Sequence, residues 1–224
     1  MNIQIVSTGS SGNAILFDGS VLIDAGVPFC DLDGWIDDLA CVLLTHAHGD
    51  HFSSTTIRKI HIANEGVKFC GGDFLKEKLR AVGLPETAII TLGAGNLYQS
   101  GDLIFSPVIL DHDVPNYGYR LKKGEYRHLH ATDASNMDGI TAKNYDSVTL
   151  EANHCADTAA RIIADKRRTG EFCHLERAIK THLSVQKAVD FVQKNKVGNF
   201  MPIHIGASTK PQVLDYLEKM HDHR

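Results

Sequence analysis

The sequence predicts an α/β fold, and three observations carry the prediction. Short β-rich runs and helical segments occur in both halves of the chain, no internal repeat calls for a solenoid, and no Pro-, Gly- or Ser-rich linker divides it. Two similar halves, each a sheet with helices on its outer face, would make a four-layer αββα sandwich. The periodicity supports the α/β class and does not by itself fix the sandwich. At 224 residues with 43% hydrophobic content, the chain is long enough to bury a full core and short enough for a single domain over residues 1–224.

The first half reads as a β-meander. Strands are expected at Asn2–Ser7, Ala14–Phe17 and Val21–Asp24, separated by the turn signals Gly9-Ser10-Ser11-Gly12 and Asp18-Gly19. Cys41–Thr45 is a compact apolar strand, and Ser53–Ile60 has helical composition with Ser53 or Ser54 as its cap. A strand at Val67–Cys70 and a helix at Asp73–Val82 precede four further strands, Ala88–Leu92, Leu103–Leu110, Tyr117–Leu121 and Tyr126–Thr132. In the second half, Ser147–Glu151 is a strand and Cys155–Arg168 and Ser184–Lys194 are helices. A short strand at Phe200–Ile203 and a helix at Lys210–Lys219 follow.

Composition bounds the partners. With 23 Lys plus Arg against 27 Asp plus Glu, the net charge of −4 gives no whole-protein positive field, so any nucleic-acid contact has to be local. The local basic clusters are Lys122-Lys123 and Lys166-Arg167-Arg168, with Arg177 and Lys180 nearby. Such clusters are ordinarily solvated surface, yet the second leads directly towards His182 and offers a small phosphate-binding rim, suited to a strand end or a small nucleotide. The five cysteines are odd in number, scattered and never spaced Cys-x-x-Cys, which reads as reduced thiols. The chain starts directly on Met1-Asn2-Ile3 with no basic or apolar leader, and no apolar run approaches the roughly 20 residues of a membrane helix. A cytoplasmic protein without membrane partners is expected; the sequence does not give the oligomeric state.

The segment that carries chemistry is Thr45-His46-Ala47-His48-Gly49-Asp50-His51, with four metal-competent side chains within six residues directly after an apolar strand. Imidazole nitrogens suit zinc and related ions, and an aspartate beside them adds a hard oxygen ligand. On an extended turn His46 and His48 can point one way, while Asp50 and His51, at the start of a helix, can point to a second ion. The competing reading, a solvated histidine-rich loop, would tolerate any order of residues.

This order matches the His-x-His-x-Asp-His signature, and the chain resembles the metallo-β-lactamase superfamily over nearly its whole length. The resemblance implies the αββα sandwich, called the metallo-β-lactamase fold. It makes Asp24, in Leu22-Ile23-Asp24-Ala25-Gly26, a group that orients the ligand loop. It makes His112 a third-motif ligand in competition with Asp111 and Asp113, Asp133 a bridging carboxylate, and His204 the last ligand in competition with His182. It further implies two divalent ions, Zn2+ or Mn2+, one held by His46, His48 and His112 and the other by Asp50, His51 and His204. Asp133 would lie between them, and Asp50 counts among the catalytic residues as well. A hydroxide bridging such a pair is a nucleophile near neutral pH.

Within the superfamily the chain is similar to the YycJ/WalJ-like branch of metal-dependent nucleases, related in turn to RNase Z. The stretches that carry this are Ser7-Thr8-Gly9-Ser10-Ser11-Gly12-Asn13-Ala14, Leu150-Glu151-Ala152-Asn153-His154 and Thr181-His182-Leu183-Ser184. By this resemblance Glu151 pairs with His182, and His182 protonates the leaving oxygen; the alternative is a histidine that merely precedes a helix capped by Ser184. The chain departs from the branch at Phe172-Cys173, where Tyr-Pro is usual, and at Cys155, where an aspartate follows the histidine. The interval from His112 to Asp133 is too short for the tRNA-gripping arm of RNase Z. The expected function is a dinuclear metal-dependent phosphodiesterase, a DNA or RNA exonuclease acting on a nucleic-acid end or a small nucleotide. The alternatives are a cyclic-nucleotide phosphodiesterase of the same fold and a non-catalytic, metal-stabilised binding protein.

Overall fold

A computed structural model of the protein describes residues 1–221. Its first sheet runs in sequence order: β1 (Ile3–Ser7), β2 (Ala14–Phe17), β3 (Val21–Ile23), β4 (Cys41–Leu43), β5 (Lys68–Gly72) and β6 (Ile89–Leu92). The second comprises β7 (Tyr98–Ser100), β8 (Leu103–Leu110), β9 (Asn116–Lys123), β10 (Tyr126–Ala131), β11 (Ser147–Glu151) and β12 (Asn199–Ile203), in the order β12-β11-β10-β9-β8-β7. The helices are α1 (Ser54–Ala63), α2 (Asp73–Val82), α3 (Ala156–Thr169), α4 (Leu175–Thr181), α5 (Val185–Asn195) and α6 (Lys210–His221). Two mixed sheets flanked by helices are the α/β architecture the sequence predicts. Among the described residues no helix is long and apolar enough to cross a membrane.

The chain divides into two compact units, one of Met1–Ile109 and Val114–Arg127, the other of Leu110–Asp113 and the residues from His128 onward. In the first unit β1, β2 and β3 pair antiparallel, as tight turns dictate, and β3 to β6 pair parallel through helical crossovers. α2 places Leu75, Leu79 and Val82 on one face, at the spacing of a helix that covers a sheet, and stops at Gly83 in the left-handed conformation (φ +96°). α1 contributes Ile57 and Ile60 to the same core, beside Leu22, Val42, Leu44 and Phe69. Each such side chain, fully buried, contributes about 1.5–3 kcal/mol.

In the second unit β10, β11 and β12 are parallel, with Ala131 opposite Leu150 and Glu151 opposite Ile203. That register brings the residues just past β10 and β12 to the level of Glu151. α5 buries Val185, Ala188, Val189 and Val192, an i, i+3, i+4, i+7 stripe, and its N-cap is Ser184, whose side chain accepts from the Lys187 N–H.

Three local features differ from the sequence reading. β7 is only three residues long, too short to show alternation, and α4 buries Leu175 alone, so neither leaves a periodic signal. Ser53 caps α1, so Asp50 and His51 lie in the turn before the helix rather than at its start.

Candidate metal centre

In the first unit the ligand loop is hung from the carboxyl ends of two parallel strands, β3 and β4. Asp24 follows β3 in a left-handed conformation (φ +62°), which costs a non-glycine residue strain and aims its carboxylate at the loop. Asp24 is buried; its Oδ1 accepts the Thr45 backbone N–H at 2.9 Å, and its Oδ2 accepts the Thr45 hydroxyl at 2.9 Å and lies 2.6 Å from His51 Nδ1. Burial holds the Asp24 carboxyl above its ordinary range, against the pull of His51 and Thr45. Because His51 Nδ1 faces this carboxylate, it carries the ring proton and directs the lone pair to Nε2, the arrangement of a metal-ligating histidine. The same logic passes one bond further. The Thr45 hydroxyl donates to Asp24, so it accepts from His46 Nδ1 at 3.0 Å, which directs the His46 lone pair to Nε2. His46 Nε2 and His48 Nδ1 converge to 3.0 Å.

The backbone of the loop is fixed on both flanks. Tyr119 donates its phenolic O–H to the Leu44 carbonyl at 2.6 Å, the Tyr117 N–H donates to the Thr45 carbonyl at 3.0 Å, and Lys78 donates to the Ala47 carbonyl. On the far side the buried Asn13 amide donates to the Asp50 carbonyl at 3.1 Å and lies 2.9 Å from His51 Nε2. The approach is backbone to backbone, since a Cβ at Gly26 would stand 1.8 Å from the Asp50 carbonyl oxygen. Asn13 and Thr45 hold the candidate ligand loop through contacts that the sequence alone does not signal. Both act across long sequence separations, and a buried Asn or Thr carries no local signal.

The second unit gathers the remaining candidates at the ends of β10, β11 and β12. Asp133 and His204 lie just past β10 and β12, both left-handed (φ +52° each) and both buried. Asp133, Glu151, His182 and His204 each offer a ligand atom within 4.8 Å of the others. His204 Nδ1 is 2.5 Å from Asp133 Oδ1 and 3.0 Å from Glu151 Oε1; His182 Nδ1 is 2.6 Å from Glu151 Oε1 and 3.3 Å from Asp133 Oδ1. Fully buried Glu151 uses its second oxygen to accept the Ala134 and Leu183 N–H groups at 2.9 and 3.2 Å. Burial opposes its charge, but His182 and His204 outweigh that and hold its carboxyl below the ordinary range. For His182 burial again disfavours the charged form, and the hydrogen bonds of Asp133 and Glu151 prevail, raising the ring to about 9.

His112 belongs to the same unit. Its Nδ1 is 3.0 Å from the Thr181 carbonyl, to which it donates, directing its lone pair to Nε2. The neighbouring carboxylates have other partners: Asp111 accepts from Ser135 and Asn136, and Asp113 from Arg177, with Asp113 Oδ1 also 3.2 Å from His112 Nε2. His182 is both things the sequence allowed, the residue before a Ser184-capped helix and the partner of Glu151. Nitrogen and carboxylate donors with carboxylate- or carbonyl-held second nitrogens are the donor set of zinc and manganese sites, so the residues fit the ions expected.

The sequence profile described as the beta-lactamase superfamily domain matches residues 20–205. The chain belongs to the metallo-β-lactamase superfamily. Solved structures of low sequence identity share the fold of this chain. The metallo-β-lactamase fold protein YhfI from Bacillus subtilis matches with a TM-score of 0.73 at 17% identity, over 92% of this chain and 86% of that one. The short form of human tRNase Z gives 0.69 at 15% identity, over 93% of both chains. A diphosphatase from the PhnP family gives 0.64 at 18%, over 91% of this chain and 86% of its own. No curated protein matches by sequence. The metallo-β-lactamase fold expected from the His46–His51 signature is therefore the fold of this chain.

In the second basic cluster Lys166, Arg167, Arg168 and Arg177 each have a carboxylate neighbour. Lys166 pairs with Glu171, Arg167 with Glu176, Arg168 with Asp165, and Arg177 with Asp113, so carboxylates offset most of that charge.

Proposed function

We propose that this metallo-β-lactamase-fold chain is a dinuclear metal-dependent phosphodiesterase, a single catalytic domain that acts in the cytosol on the end of a DNA or RNA strand. In this reading it stands with the YycJ/WalJ-like nucleases. His46, His48 and His112 hold one ion, Asp50, His51 and His204 the other, and Asp133 is shared. The ions are zinc or manganese. When bound, they supply a water of lowered pKa and a Lewis acid for the phosphoryl oxygens.

The observation that carries the phosphodiester reading is the Glu151–His182 pair. With Nδ1 on a buried carboxylate 2.6 Å away, the ring is held protonated and turned so that Nε2–H is the remaining donor. A proton donor of that kind serves a leaving alkoxide, which departs poorly unless protonated. His204 and Asp133 flank the same carboxylate, so the proposed donor and two of the proposed ligands share one hydrogen-bonded cluster, which supports the reading. Asp24 and Thr45 keep His51 and His46 in the tautomers that present Nε2. The similarity to a tRNase Z and to a PhnP-family diphosphatase, both named for cleavage at phosphorus, supports the same class.

The test is a substrate panel. Protein reconstituted with zinc or manganese is incubated with single-stranded DNA, RNA, duplex DNA and cyclic nucleotides, and the products are resolved. Shortening of the strands from one end is the expected result; turnover of cyclic nucleotides alone would replace the nuclease reading with the cyclic-nucleotide one.

A further inference from the structure

A cleft of about 520 Å³ in the first unit has the opposite character to the neutralised basic clusters. Its walls include Ser11, Gly26, Phe29, Gly49, Thr55 and Lys59, and no carboxylate lines it. Lys59 Nζ stands 5.9 Å from the centre of the Phe29 ring, within reach of a cation–π contact. Among the described residues Lys59 has no carboxylate partner, in contrast to Lys166, Arg167, Arg168 and Arg177.

The cleft is built rather than incidental. β3 and β4 run parallel, so the Gly26–Phe29 segment and the loop containing Gly49 both leave the carboxyl edge of the sheet, where open α/β sheets bind ligands. The Thr56 hydroxyl donates to the Val27 carbonyl at 2.6 Å and ties the first segment to α1. The first turn of α1 lines the cleft at the positive end of the helix dipole; Ser53 takes the Thr56 N–H, which leaves the Ser54 and Thr55 N–H groups as the donors with no partner within the helix. Gly49 stands between His48 and Asp50, so one wall of the cleft is the ligand loop itself.

We propose that this cleft is a nucleotide subsite of the phosphodiesterase, with a base stacked on Phe29 and the adjoining phosphate held by Lys59 and the first turn of α1. The proposal rests on the phosphodiesterase reading and sharpens it. An aromatic face, an uncompensated cation and a helix start recognise a base and its phosphate without reading sequence. The volume lies within the range of small-ligand pockets and accommodates one nucleotide. A subsite next to the ligand loop takes the nucleotide beyond the scissile phosphate, so the substrate class is a strand rather than a cyclic mononucleotide.

The experiment compares metal-loaded, full-length protein with its Phe29→Ala, Phe29→Trp and Lys59→Met variants. The measured quantity is kcat/KM for a single-stranded hexadeoxynucleotide divided by kcat/KM for bis(p-nitrophenyl) phosphate, which has no base to stack. Stacking on one aromatic residue predicts a roughly 5- to 100-fold fall of this ratio in Phe29→Ala, carried by KM, with Phe29→Trp close to the parent. Lys59→Met should lower it too and flatten its dependence on salt. Anisotropy of a labelled phosphorothioate hexanucleotide should show the same loss in binding. A ratio and an affinity unchanged in both Phe29→Ala and Lys59→Met would overturn the subsite while leaving the phosphodiesterase standing. A parent protein that hydrolyses neither ester would instead remove the reading on which the subsite rests.

Discussion

Removing the proposed proton donor separates making a nucleophile from releasing a leaving group. His182 is suited to the test because its side chain is 20% exposed while Glu151, which orients it, is fully buried, so His182→Ala leaves the buried carboxylate network largely in place. The hydrogen bonds from Asp133 and Glu151 raise the ring from its ordinary 6.5 to about 9. That difference favours the protonated form by about 3 kcal/mol. A positioned donor is worth roughly 10²–10⁴ in rate, or about 2.7–5.5 kcal/mol of barrier. His182→Ala should therefore slow hydrolysis of a natural nucleotide ester by that factor with metal content intact. The loss on bis(p-nitrophenyl) phosphate should be much smaller, because p-nitrophenolate departs without a proton. Glu151→Gln, which keeps the shape of the acceptor and removes its charge, should fall between the parent and His182→Ala. Steady-state kinetics with both esters, alongside elemental analysis, reads all of this. Equal slowing of both esters with metal retained would refute the acid role, and loss of metal in proportion to activity would make His182 a ligand and His204 the bystander.

Two further outcomes follow from the same structure. Asp133→Ala removes the proposed shared ligand and should abolish hydrolysis of every substrate; a variant that keeps both metals and full activity would show the bridge to be wrongly assigned. His128 is buried, with Nδ1 2.7 Å from the Ser147 hydroxyl and Nε2 2.9 Å from that of Thr149, and burial pushes it down to about 3. The unfolded chain takes up this proton near 6.5 and the folded chain does not, so the stabilisation is complete above 6.5 and is lost as pH falls. The loss should be about 1.4 kcal/mol per pH unit below 6.5. Urea unfolding at pH 7.5 and 5.5 should show a flatter pH dependence for His128→Gln than for the parent, and equal slopes would refute the assignment.

How much of the centre could be read from the sequence depended on how local its signal is. The His46–His51 loop was legible because four donors crowd into six residues after an apolar strand, a pattern with its own chemical meaning. Asp133 and His204 carry no such signal. Each is one polar residue past a strand, and what marks them is a left-handed backbone that only the fold displays. The Glu151–His182 contact spans 31 residues and the Asp24–His51 contact 27, so resemblance to a family could suggest these pairs but spacing could not. Most strands and long helices were legible to within a few residues, since turns such as Gly9–Gly12 and stripes such as Val185, Ala188, Val189 and Val192 are written locally. α4 was not, because seven residues with a single buried side chain show no period.

In the proposed dinuclear centre the His46–His51 loop and the Asp133, His112 and His204 positions supply the ligands of two ions. Metal content per chain tests it most directly, measured by elemental analysis on protein purified without chelators and again after reconstitution with zinc or manganese. Two ions per chain, lost on chelation together with hydrolysis and regained with it on reconstitution, is the predicted result. No more than one bound ion after reconstitution with either metal would contradict the dinuclear centre.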